Sequence, residues 1–233
     1  MKTIKLAFLA LIALAGITGS ALAQSEETRS VSGFNGISSG GSFAVHVKID
    51  GTESLKIQGD KQDISEIETV VEHGILEIKT PHDWGHFHQR GKVDIYITAK
   101  SLSSLSLGGS GSIDVSGTVK GDNVSVSMGG SGSISADVEA DNLKASVAGS
   151  GKLQIQGKAA KAKVEISGSG KISGEQLKID AVEISIAGSG SCHLDVEKTM
   201  SAHIAGSGSV YYTGNAVTTN VTTAGSGRVT KVK

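Results

Sequence analysis

Three of the chain's seven histidines stand in one short stretch, Pro81-His-Asp-Trp-Gly-His-Phe-His-Gln-Arg90. Neutral imidazoles at His82, His86 and His88, with the carboxylate of Asp83, are the donor types that zinc or copper takes. Zinc sites pair ligands at characteristic intervals, and this spacing matches none of them. The stretch is therefore read without a metal or any other cofactor. It is a polar loop whose Trp84 and Phe87, among His82, Asp83, His86 and His88, offer a contact surface.

The glycines hold a second promise of chemistry that does not survive inspection. Gly108-Gly-Ser-Gly-Ser-Ile-Asp114 is close to the calcium-binding nonapeptide of some solenoids, but Ile113 occupies the place where that motif needs Asp. No helix follows these glycines to present its N-terminus to a phosphate, which excludes a dinucleotide site. The many serines include none in a Gly-x-Ser-x-Gly elbow leading to a helix.

The glycines instead mark a repeat. Gly-Ser-Gly begins at Gly109, Gly130, Gly149, Gly168, Gly188, Gly206 and Gly225, at spacings of 21, 19, 19, 20, 18 and 19 residues. Two residues before each turn stand Leu107, Met128, Val147, Ile166, Ile186, Ile204 and Thr223. Four residues after its first Gly stand Ile113, Ile134, Leu153, Ile172, Cys192, Val210 and Val229. Apolar residues alternating with Ser, Lys, Glu or Asn form strands with one buried face. A unit of this length cannot bury that face alone, so the units must stack and share a core. The expected fold is all-β, a parallel β-helix with coils of about 19 residues. Cys192 then belongs to the core, the Gly-Ser-Gly motifs are corners, and the central serines form a column of hydroxyls. Lys231 falls on an inward column and caps an open edge.

Two outward columns follow. One holds Asp114, Ser135, Gln154, Ser173, His193, Tyr211 and Thr230; its single carboxylate lacks the paired acids of a glycosidase. The other holds Ser106, Ser127, Ser146, Glu165, Ser185, His203 and Thr222, a hydroxyl-rich face suited to multivalent glycan contact. His203 and Tyr211 join the loop residues as candidate binding groups.

Residues 1–23 read as a signal peptide: Lys2 and Lys5, an apolar run from Leu6 to Ile17, then Ala21-Leu-Ala23 before the cut. No second stretch is long and apolar enough to span a membrane. Removing Lys2 and Lys5 leaves 20 basic against 23 acidic side chains, a net of −3 that argues against nucleic acid as a partner. A lone Cys192 excludes an internal disulfide. Residues 24–233 are expected to form one β-solenoid domain, with irregular coils over 24–100 and the seven repeats over 101–233. In the irregular part, Asp63 with Glu66 is expected to begin a short helical turn.

Ser32-Gly-Phe-Asn-Gly-Ile37, Gly40-Gly-Ser-Phe-Ala-Val-His-Val-Lys-Ile49, Ile67-Glu-Thr-Val-Val-Glu-His-Gly-Ile-Leu-Glu-Ile-Lys79 and Leu105-Ser-Leu-Gly-Gly-Ser-Gly-Ser-Ile113 together resemble the putative auto-transporter adhesin head GIN domain family. The resemblance implies a right-handed parallel β-helix exported by Gram-negative bacteria to the periplasm or cell surface. It assigns no catalytic residues. Neither a translocator barrel nor a carboxy-terminal membrane segment is seen in this sequence, a departure from what display by autotransport calls for. The expected function is a non-enzymatic binding or adhesion-type module whose partner is a surface glycan or an envelope protein. The alternatives are a polysaccharide-active enzyme and a structural envelope protein on the same scaffold.

Overall fold

The computed structural model describes residues 25–80 and 91–232; the signal-peptide reading falls outside them. In chain order the elements are β1 (Ser25–Arg29), β2 (Gly36–Gly41), β3 (Ala44–Ile49), β4 (Ser54–Gly59), α1 (Lys61–Glu66), β5 (Glu68–Glu72), β6 (Ile75–Lys79), β7 (Asp94–Ala99) and β8 (Ser104–Gly109). The repeats then give β9 (Ser112–Gly130), β10 (Ser133–Gly149), β11 (Lys152–Gly168), β12 (Lys171–Gly188), β13 (Ser191–Gly206), β14 (Ser209–Thr213), β15 (Val217–Gly225) and β16 (Arg228–Lys231).

The long strands β9 to β13 each follow one corner and run on to the next, and each pairs in parallel with the strand a coil away. Ser133 lies beside Lys152, Lys152 beside Lys171, and Lys171 beside Ser191. This is a parallel β-solenoid. Register places like on like: Ile113, Ile134, Leu153, Ile172, Cys192 and Val210 form one fully buried inward column after the corner. Leu107, Met128, Val147, Ile166, Ile186 and Ile204 form another before it. Burial of such columns drives the stacking, at roughly 25 cal/mol per Å² of apolar surface. Cys192 is wholly buried, and burial pushes its thiol up to about 12.

The corners explain the Gly-Ser-Gly motif. Gly130 has φ 125°, and a Cβ there would lie 2.3 Å from the carbonyl oxygen of Gly109 one coil away. A Cβ on Gly132 would lie 2.3 Å from the oxygen of Gly111. Those oxygens are occupied: the Ser131 N–H donates to Gly109 O at 2.9 Å and the Ser133 N–H to Gly111 O at 3.1 Å. The middle serines are exposed along the corner. They form a column, but among the described residues no hydrogen bond links one corner hydroxyl to the next.

The amino-terminal part belongs to the same sheet, in a rearranged order. β2 and β3 make a coil of the repeat type, with Gly40 beside Gly108, Gly41 beside Gly109 and Ala44 beside Ser112. Its corner reads Gly41-Ser42-Phe43, which a search for Gly-Ser-Gly passes over. On the far side of this coil β6 pairs with β2 and β7 with β3, both in parallel. The outermost coil is thus later in sequence than the coil it covers. Antiparallel β4 and β1 extend the sheet beyond β7, and antiparallel β5 extends it beyond β6. The short helix forms as expected, but its N-cap is Asp60, which accepts from the Gln62 N–H at 2.8 Å. Asp63 lies inside the first turn, buried, where its carboxylate accepts from the Gly91 N–H at 3.2 Å. Asp60 carries the extended backbone that a cap requires.

At the other end β15 pairs with β13 alone and is exposed at every position, including Val221 and Thr223 on the inward columns. Lys231 lies beside Tyr212, also on an inward column, and is exposed.

Candidate functional site

The outward column after the corner is longer than the repeats alone define. Register continues it from Asp114 to His46, Tyr96 and Lys56. In the other direction it runs through Ser135, Gln154, Ser173, His193 and Tyr211 to Thr230. Each of the three added residues stands between two inward apolar ones, as in Leu55-Lys56-Ile57, Val45-His46-Val47 and Ile95-Tyr96-Ile97, so alternation turns its side chain to the surface.

Strand spacing brings the rings into contact. Tyr96 stacks on His46 with centroids 5.0 Å apart and planes inclined by 24°. The Lys56 ammonium lies 5.4 Å from the centroid of the Tyr96 ring, a cation–π arrangement. His46 Nε2 is 3.0 Å from Asp94 Oδ1, which also accepts from Lys92 Nζ at 2.7 Å. Burial raises the Asp94 carboxyl, but the hydrogen bonds from Lys92 and His46 and the electrostatic attraction of the same two groups together outweigh it and hold the carboxyl below its ordinary value. With a carboxylate as partner, the His46 proton sits on Nε2, which leaves Nδ1 as an acceptor when the ring is neutral. A shallow concavity of about 660 Å³ surrounds the pair, lined also by Lys48, Ser54, Lys56, Thr98, Asp114 and Ser116. It joins the exposed rim of an aromatic pair to donors and acceptors from hydroxyls, ammonium groups and one carboxylate.

The same column carries a second pair near its other end. His193 and Tyr211 stack with centroids 4.6 Å apart and planes inclined by 26°. Glu175 Oε1 approaches His193 Nδ1 to 3.8 Å.

The hydroxyl-rich column before the corner is also in register, from Ser106 to Thr222, with His203 exposed beside Ser185. A second groove of about 660 Å³ runs beside it, floored by Ala148, Ser167, Ala187, Ala205 and Ala224. His203 and Tyr211 therefore stand on different faces, separated by the corner, and do not form one site. Tyr212 is buried, as its inward column requires. His82, Asp83, Trp84, His86, Phe87 and His88 lie outside the described residues. Among the described residues no cluster of three His, Cys, Asp or Glu side chains is placed to hold a metal ion.

Sequence reasoning missed Lys56, His46 and Tyr96 because the repeat alignment began at Gly109. The alternating pattern showed that they face outward. Only the register reveals that Tyr96 is the neighbour of His46.

The family model described as "Putative auto-transporter adhesin, head GIN domain" matches residues 33–216. The chain belongs to this family. Among solved structures the GIN-domain chain is similar to a putative adhesin from Bacteroides fragilis, with a TM-score of 0.83 and 23% identity over 90% of this chain and 97% of that one. A protein from Parabacteroides distasonis described as a putative lipid binding protein gives a TM-score of 0.70 and 21% identity over 90% and 97%. A putative adhesin from Parabacteroides merdae gives 0.66 and 19% over 90% and 96%. At these identities the likeness concerns the fold. No curated protein matches the chain. Among the described residues, no helix is long and apolar enough to cross a membrane.

Proposed function

We propose that this GIN-domain protein is an exported, non-enzymatic, adhesion-type module that binds saccharide chains through its outward post-corner column, in the periplasm or at the cell surface of a Gram-negative bacterium. The observation that carries the reading is the Tyr96–His46 stack in its concavity. Tyr96, flanked by His46 and Lys56 yet exposed, packs its outer rim against the apolar side of a sugar ring, while nearby Thr98, Ser54, Lys48 and Asp114 exchange hydrogen bonds with ring hydroxyls. The absence of catalysis in this reading is supported by the acids: Asp114 is the single carboxylate among the lining residues, and glycoside hydrolysis calls for two. The family's adhesin description agrees with a binding role and with export.

A glycan array probed with the purified protein and with Tyr96→Ala tests this. The expected result is a defined set of bound saccharides, with affinity reduced at least about tenfold by loss of a stacking anchor. An array without signal, or binding that Tyr96→Ala leaves intact, overturns the proposal. Binding of lipid vesicles in place of saccharides would favour the activity named for the Parabacteroides distasonis neighbour.

A further inference from the structure

The two stacked pairs are ends of one feature, and the geometry points to a continuous track for a linear acidic polysaccharide laid along the solenoid axis. This rests on the saccharide-binding reading and goes beyond it in naming the ligand's shape, length and charge. From Tyr96 to Tyr211 the column advances one strand spacing at each residue, through His46, Asp114, Ser135, Gln154, Ser173 and His193. At about 4.8 Å a step the platforms are roughly 34 Å apart. A pyranose in an extended chain is about as long as one strand spacing, so successive sugars meet successive coils. Both ends offer an aromatic pair, and Ser135 and Gln154 supply hydrogen-bonding groups between them, while Ser173 is buried beneath the track.

Charge decides the kind of chain. Two residues ahead of Gln154 and Ser173, on the neighbouring outward column, stand Lys152 and Lys171, side by side in register. Neither forms an ion pair among the described residues. Lys48 and Lys56 line the concavity at the Tyr96 end but are paired with Asp50 and Glu26, each at 3.4 Å, so the uncompensated charge is that of Lys152 and Lys171. Adjacent unpaired ammonium groups on a flat sheet repel one another, and carboxylates repeated along a ligand remove that repulsion. Asp114 lies between the first platform and the lysine pair, where it accepts from sugar hydroxyls.

Titration calorimetry with oligogalacturonides of increasing length, and with cello-oligosaccharides as the uncharged comparison, tests the track. Affinity should climb with length until both platforms are bridged, at roughly eight sugars given the strand spacing, and then level off. Bridging oligomers should bind about a hundredfold more tightly than those reaching one platform. Tyr96→Ala and Tyr211→Ala should each abolish that gain while leaving short-oligomer binding at the other platform. Lys152→Ala with Lys171→Ala should remove the preference for the acidic series and reduce the salt dependence. All four side chains face outward, and unchanged circular dichroism would verify the fold of each variant. Affinity independent of length, or a length dependence that Tyr211→Ala leaves unchanged, overturns the track while the single-site reading stands. Binding of the neutral series alone overturns the charge assignment, and a blank glycan array overturns both proposals.

Discussion

At the scale of single residues the fold rests on where a Cβ is forbidden. Gly130→Ala puts a methyl group against the Gly109 carbonyl at a positive φ, whereas Gly129→Ala meets nothing within 4 Å. Ala148, Ala187 and Ala205 already occupy the Gly129 column. Urea unfolding should show the first variant destabilised by more than about 2 kcal/mol and the second within about 0.5 kcal/mol of the parent. Cys192 should resist a thiol reagent at pH 8 in the folded protein and react fully in denaturant, because its thiol is buried and its ionisation is pushed up to about 12. Asp94 sets a pH dependence. Its folded carboxyl ionises more readily than the unfolded one, so as pH falls below about 4 the unfolded chain takes the proton first. That contribution is therefore full above the unfolded value and is lost as pH falls through the folded one; acid titration of Asp94→Asn should lack it. The role of Cys192 was legible because seven aligned units show what their shared position requires. The helix cap was not, because Asp60 and Asp63 are equally good cap residues and only backbone geometry separates them.

At the scale of elements the seven repeats were legible and the order of the first coils was not. Periodicity reveals which face of a strand is buried, and it is silent about neighbours. Nothing in Asp94-Ile-Tyr-Ile97 announces that β7 returns to the outside of β3, yet that return puts Tyr96 on His46 and makes the candidate site. The same rearrangement leaves a local flaw. β2 lies between β6 and β8, and its Ser39 enters the inward column between Ile78 and Leu107, buried, with no hydrogen-bond partner for its hydroxyl among the described residues. Ser39→Ala removes an unsatisfied buried oxygen from an apolar column and should raise stability by about 1 kcal/mol in denaturant titration. A loss of stability would mean that an ordered water serves the hydroxyl.

For the whole molecule, contacts run between adjacent coils, so stability is a sum along one dimension. The central coils have a neighbour on each side; β15 has β13 alone and is exposed throughout. Hydrogen exchange should consequently be fastest over 217–231 among the solenoid strands and slowest in β10 to β12, because opening of the end coil breaks one interface and opening of a middle coil breaks two. Equivalent corners also make the coils interchangeable parts. The Ser131 N–H meets Gly109 O at 2.9 Å, and Ser150, Ser169, Ser189 and Ser207 meet the oxygens of Gly130, Gly149, Gly168 and Gly188 at the same 2.9 Å. Excising 152–170 would join Gly151 to Lys171 with its corner intact, since Lys152 and Lys171 are register partners. The distance between Tyr96 and Tyr211 would then fall by one strand spacing, about 4.8 Å. The solenoid is in this sense a gauge with a fixed graduation, and duplication or loss of a coil resets its length without touching either end.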